Sequence, residues 1–354
     1  MSRTLLRLPA PRLIGALSLV GLMAMAAGCG AGGPANSTAT ASTAGNDSGS
    51  SSGPVINLGD QQQSLQTLLQ ASGALKGARY RVNFIEFDSG PLVDAGFAAH
   101  RIDVGTMGDL PATLAVKSGL PVKAIAVSLP IGASEYLLAK PGITSIAQLR
   151  GKPVAYTTGT AEQAFALRAL KSAGLTQGDV RQVDVSLLQL GTVLESGAAD
   201  ASVVSVEQKI DYQQTHPGAK VLATVETVSP KSYGYLLASD AALARPDRLA
   251  AISDLTRRLI IAENWERAHK RQWVTDYYVT VEHQPPAAAR LILAAGGTSS
   301  YEPITASVQS ALQDVVNLMA GAGALPRPYS IAALFSPAQS RRYNAIVKEV
   351  PQNA

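Results

Sequence analysis

Apolar residues recur along this chain in two alternating rhythms. Val55 to Leu58 is a short apolar run of the kind that forms a strand, and Leu65, Leu68 and Leu69 then share one helical face that stops at Gly73. Tyr80, Val82 and Phe84 alternate with Arg79, Arg81 and Asn83, which predicts a second strand. The sequence continues in the same way. Strand-like segments at 122–127, 135–139, 153–156, 183–185, 200–206 and 221–225 are separated by helical ones. The helices are Pro111–Lys117, one carrying Phe165, Ala169 and Leu170, and a short one carrying Leu190, Val193 and Leu194. This alternation predicts an α/β class with largely parallel sheets. After Asp240 the pattern is mostly helical: Leu249, Ile252, Leu255, Leu259 and Ile260 form one face, and Val308, Leu312, Val315 and Met319 another. Tyr136-Leu-Leu-Ala139 recurs as Tyr235-Leu-Leu-Ala238, which suggests a pair of crossover strands between two lobes.

Several helix starts are legible. Asp60 with Gln63, Ser145 with Gln148, and Thr160 with Gln163 have the spacing of capping boxes. Between Phe84 and Pro111 two strand-like runs end in small-residue turns, Ser89-Gly90-Pro91 and Gly108-Asp109-Leu110-Pro111. Two helix N-termini opening after neighbouring strands would aim unpaired N–H groups at one place, an arrangement suited to an anion.

Composition narrows the classes. The chain has 354 residues, enough for two ordinary domains, and 46% of them are hydrophobic. The net charge of +4 includes Arg3, Arg7 and Arg12 near the start, so the remainder carries 4 − 3 = +1 and no basic footprint for nucleic acid. Those arginines precede an uncharged, mostly apolar stretch to Gly28, ending in Ala26-Ala27-Gly28-Cys29. Residues 1–29 therefore read as an export signal. Residues 30–53 carry no large apolar side chain and read as a flexible tether. The single cysteine excludes an intrachain disulfide and a cysteine-built zinc site, and the four histidines have no metal-ligand spacing. Dinucleotide, Walker and nucleophile-elbow motifs are absent, which favours a binder over an enzyme and calls for no cofactor and no catalytic residues.

Five segments together, Phe87–Pro91, Ile102–Pro111, Ile146–Ala155, Gly197–Ala201 and Tyr301–Thr305, resemble the solute-binding proteins of ABC importers, most closely the aliphatic sulfonate, taurine and nitrate group. Ala26–Cys29 resembles a lipobox, which implies lipidation at Cys29. The resemblance implies a type II two-lobe periplasmic-binding-protein-like fold with two crossover hinge strands and a ligand cleft between the lobes. Lobe 1 would comprise residues 54–138 and 236–354, and lobe 2 residues 139–235. It further implies a lipid-anchored, extracytoplasmic monomer that hands an aliphatic sulfonate or similar small oxyanion to an ABC permease. Ligand contacts would come from Gln61, Ser89, Gly90, Pro91, Gly108, Asp109, Gly159, Thr160 and Tyr233. Asp109 and Glu207 could meet a cationic group on an amino-sulfonate. Where relatives often carry Trp and Asp-Pro after the position of Ala201, this chain has Ser202 to Gln208, so an aromatic wall is missing there. Two same-fold alternatives are a binder of a thiamin-precursor pyrimidine and a thiamin-pyrimidine synthase-like enzyme. The first would need aromatic residues to stack on, and the second a cysteine-rich motif this chain lacks.

Overall fold

Twelve strands sort into two mixed sheets in the computed structural model, which describes residues 41–42 and 53–350 apart from 133, 229, 230 and 296. The expected export signal and Cys29 lie outside the described residues. Of the expected tether, Ala41–Ser42 (β1) pairs antiparallel with Phe84 and Ile85 at a sheet edge.

The remaining strands of the first sheet are β2 (Val55–Gln61), β3 (Arg81–Phe87), β4 (Val104–Met107), β5 (Val122–Ile131), β11 (Gly234–Ser239) and β12 (Thr298–Glu302). The second sheet holds β6 (Glu135–Ala139), β7 (Pro153–Ala155), β8 (Arg181–Val183), β9 (Ala201–Ser205) and β10 (Lys220–Thr224). The first runs β1-β3-β2-β4-β11-β5-β12 and the second β10-β6-β9-β7-β8. Without the edge strands β1 and β12, the two orders are the same. In each sheet the first strand of the lobe sits between the next two in parallel. An antiparallel strand arriving from the other lobe then separates the third from the fourth.

The repeated Tyr-Leu-Leu-Ala segments are those arriving strands. One crosses to the second sheet and the other returns to the first, and they do not hydrogen-bond to each other. Tyr136–Ala139 pairs with β9 and β10, and Tyr235–Ala238 with β4 and β5. All eight residues are buried, so each run lacks polar alternation because its strand is covered on both faces. The chain thus changes sheet between Ile131 and Glu135 and again between Thr224 and Gly234. The expected changeovers at 138/139 and 235/236 fall inside strands.

Helices α1 (Ser64–Ala71), α2 (Gly90–Ala98), α3 (Asp109–Lys117), α4 (Ala161–Ser172), α5 (Leu190–Glu195) and α6 (Val206–Thr215) follow their strands. Helix α6 carries no clear apolar face in the sequence, because VEQKIDYQQT buries only Ile210 and Tyr212. Strand β12 likewise lacks a sequence signal, since four of its five positions are only half-buried. One apolar cluster joins Phe87, Val93 and Leu110 of the first lobe to Leu137, Phe165 and Val203 of the second. The capping box Ser145–Gln148 forms as expected. Asp60–Gln63 does not, because Gln62 and Gln63 adopt positive φ. Asp60 instead reaches forward, and its carboxylate accepts from the N–H groups of Gln61, Leu65 and Gln66.

Candidate functional site

Three helix starts from the two lobes close on one another. A Cβ on Gly90, at the start of α2, would lie 2.5 Å from Pro111 Cγ on α3. One on Gly108, just before α3, would lie 2.6 Å from Ala161 Cβ on α4. Gly159 before α4 has φ +80°, which favours glycine, and its Cβ would stand 3.2 Å from Pro91 Cγ on α2. Ser89, Gly90, Pro91, Gly108, Asp109, Gly159 and Thr160 are therefore brought together at the junction of the lobes. Gln61 lies nearby, its amide donating to Thr106 O on β4 at 2.9 Å. Tyr233 is buried beyond them, in the segment that returns to the first lobe. Burial, and then Glu302, push its hydroxyl above the ordinary tyrosine range.

Much of the donor capacity expected for an anion is already used. Asp109 is 2% exposed, and its Oδ1 accepts from Leu110 N at 2.7 Å. Its Oδ2 accepts from Arg168 Nη2 of α4 at 3.1 Å and from Ser232 Oγ at 3.0 Å. Gly159 N donates to Gln163 Oε1 at 2.9 Å, and the Thr160 hydroxyl donates to Thr157 O at 2.8 Å, so the Thr160–Gln163 capping box is replaced by these bonds. Glu162 and Glu207 occupy the first turns of α4 and α6, where the helix dipole favours negative charge. The starts of α1, α3, α4 and α6 are thus each served by a carboxylate of the protein itself. The first turn of α2, Ser89-Gly90-Pro91, contains none.

Burial dominates the acid chemistry of the junction. Glu135 is pushed well above the usual carboxylate range by burial and then by Glu162 and Asp109, with Arg168 opposing. Burial raises Glu162, and raises Glu207 in spite of a hydrogen bond from Ser205.

Ser134, beside Glu135, lines a cavity of about 370 Å³ bounded by both lobes. Its walls include Gln62 and Ser64 of the first lobe, Ser205, Val206 and Glu207 of the second, and residues of the C-terminal helices. The long helix Pro246–Ala268 supplies Glu266, and a following π-helical turn, Val274–Val279, supplies Tyr277 and Tyr278. Trp273 stacks on Tyr277 with centroids 4.8 Å apart, and Tyr278 meets Tyr277 edge-on at 5.0 Å. An aromatic wall does exist, contributed from a different part of the chain than the segment after Ala201. The spacing of Trp273, Tyr277 and Tyr278 was visible in the sequence, but one helical face of aromatics reads equally well as core. Burial lifts Glu263 to about 7, and burial with Glu263 lifts Glu266 to about 8.

These shifts have one sign. Glu86 and Asp94 are also raised, each to about 7 and chiefly by burial. The folded chain therefore holds protons that the unfolded chain releases at about pH 4.3 and above. The associated stability is complete below that unfolded range and is lost as pH rises through about 7 to 8. Calorimetry should show Tm falling between pH 5.5 and 8.5, with a shallower fall in Glu266→Gln. A Tm that rises across this interval would contradict the assignment.

Comparison with known proteins places the architecture. An alkanesulfonate-binding protein from Xanthomonas axonopodis pv. citri, bound to MOPS, superposes with a TM-score of 0.72 at 22% identity, covering 80% of this chain and 98% of that one. A desulfurization enzyme shares the fold at a TM-score of 0.59 and 13% identity, over 82% of this chain and 98% of its own. The fold is that of the two-lobed periplasmic binding proteins, and it hosts enzymes as well as binders. Residues 82–264 match the NMT1/THI5 like family, and the chain belongs to that family. An Escherichia coli (strain K12) protein named for binding aliphatic sulfonates is 28% identical over 156 residues, 43% of this chain and 49% of its own length. The match thus spans about half of that relative.

Proposed function

We propose that this protein is the extracytoplasmic solute-binding component of an ABC importer, taking a small organic oxyanion of the aliphatic sulfonate class by lobe closure. It acts as a binder with no chemical step. The observation that carries the reading is the α2 start: Ser89-Gly90-Pro91 opens a nine-residue helix at the lobe junction with no acidic residue in its first turn. A sulfonate there would meet the Gly90 N–H and the positive end of the helix dipole. The sulfonate-binding relative supports the same ligand class. Cys29 would carry the lipid anchor, residues 30–53 would let a monomeric binding unit reach its permease, and the protein would work on the outer face of the cell membrane.

A second reading is a binder of a thiamin-precursor pyrimidine. The stacked pair Trp273 and Tyr277 on the cavity wall favours it, since a flat heteroaromatic ring needs such a surface.

Thermal unfolding with alkyl- and arylsulfonates, taurine, sulfate, nitrate and an aminopyrimidine distinguishes the two. A ligand at a hundred times its Kd adds about 2.7 kcal/mol. Stabilisation by sulfonates, reduced in Ser89→Asp, supports the first reading. Stabilisation by the pyrimidine alone replaces it with the second.

A further inference from the structure

The turn between β2 and α1 is held in a conformation that its own residues disfavour. Gln62 and Gln63 have φ of +54° and +56°, in the left-handed region where a residue with a Cβ is strained. Two carboxylates from neighbouring strands brace it. Asp60 of β2 and Glu86 of β3 are paired in register. The Asp60 carboxylate accepts from the Ser64 hydroxyl at 3.3 Å as well as from the N–H groups of Gln61, Leu65 and Gln66. Glu86 Oε2 accepts from Gln63 N at 3.0 Å. Glu86 is half-buried, and burial, then Asp60 and more weakly Asp88, push its carboxyl up to about 7 against that hydrogen bond. The Gln63 side chain is exposed, so its own packing does not hold the turn. The turn also has a place in the site. Gln62 and Ser64 line the cavity between the lobes. Helix α1, which begins at Ser64, packs against the Val274–Val279 turn that carries Tyr277 and Tyr278.

We propose that Glu86 is a positioning residue for this cavity: by accepting the Gln63 N–H it keeps the Gln62-Gln63 turn left-handed and so sets Gln62 and Ser64 on the wall. Strained backbone persists where its surroundings over-determine it. Here Asp60 fixes the start of α1 and Glu86 fixes the turn that leads into it. Without Glu86 the turn can relax to negative φ, which carries Gln62 off the wall. Glu86 does not line the cavity and acts only through the backbone of the turn. The inference rests on the solute-binding reading and names a residue that supports its site from behind.

Two measurements on the purified protein test it: amide hydrogen exchange of the ligand-free form and calorimetric titration with propane-1-sulfonate. Glu86→Met should speed exchange of the Gln63 amide roughly tenfold or more and weaken propane-1-sulfonate roughly tenfold. Glu86→Gln keeps an acceptor oxygen and should stay near wild type in both. Glu86→Met/Gln63→Gly should regain most of the affinity, because glycine takes positive φ without strain. Lost packing around position 86 would not be rescued in this way. Should Glu86→Met fail to fold, Gln63→Val tests the turn from the other side: a β-branched residue resists positive φ, so affinity should fall by a similar factor. Unchanged exchange in Glu86→Met overturns the proposal. Faster exchange with unchanged affinity overturns it too, since the turn would then be held without shaping the site. If the wild-type protein does not bind propane-1-sulfonate, the oxyanion reading fails, and the exchange result alone decides for or against the hold on the turn.

Discussion

Replacing Arg168 with methionine should open the protein. The Arg168–Asp109 pair joins α4 of the second lobe to α3 of the first, and Ser232, on the returning crossover, donates to the same carboxylate oxygen. Asp109 is 2% exposed and Arg168 17%, so the pair is largely shielded from water. Removing one partner of a buried pair costs about 3–5 kcal/mol, because the other is left uncompensated. Here the penalty would be heightened by Glu135, which already feels Asp109. The chain can escape the cost by separating the lobes and hydrating Asp109. A closure equilibrium of a few kcal/mol would then swing toward the open form. The expected readouts are a larger radius of gyration in solution scattering and affinity lower by roughly a hundredfold, since apparent Kd scales with the inverse of the competent fraction. The double variant Asp109→Asn/Arg168→Met should regain most of the loss. Unchanged scattering and affinity in the single variant would show that the pair does not hold the lobes together.

The second large effect is steric. Gly108→Ala places a methyl 2.6 Å from Ala161 Cβ, where carbon contacts normally lie at about 3.5–4.0 Å. Both methyls would be fixed directly to backbone, so no rotamer change relieves the clash. The lobes must part by about 1 Å, at a cost of roughly 1–3 kcal/mol typical of overpacking. Ligand affinity should fall about five- to 150-fold, while the Tm of the ligand-free protein, free to open, changes little. Gly108→Ala combined with Ala161→Gly should restore affinity. If the combination binds no better than the single variant, the loss arises inside the first lobe.

The βα alternation, the Ser145–Gln148 cap and the three turns that meet at the lobe junction were legible because each is written in local spacing. What those turns do was less legible. Asp109 reads locally as an acid in a helix's first turn. Only the fold places Arg168, 59 residues later, opposite it and so pairs its carboxylate within the protein. The central antiparallel strands were legible as strands but not in direction, because a run buried on both faces looks the same whichever way it travels. The cavity wall was hidden for a similar reason. Glu266, Trp273, Tyr277 and Tyr278 lie on helices whose apolar spacing is satisfied by core packing, and it takes β9 and α6 of the other lobe to turn that face into a pocket.

The strand orders carry a consequence for how the chain comes to its native state. The second sheet has all its strands by Thr224, drawn from one continuous stretch beginning at Glu135. The first sheet lacks its central β11 until Ser239 and its edge β12 until Glu302, so β4 and β5 must wait for a strand that arrives more than a hundred residues after them. Contacts of such sequence separation form slowly, because loop closure precedes any gain from pairing. During vectorial emergence the later-starting lobe is therefore the one that can mature first. The earlier one remains an unfinished template, with β4 and β5 exposing unpaired edges, until the C-terminal third of the chain returns to complete it.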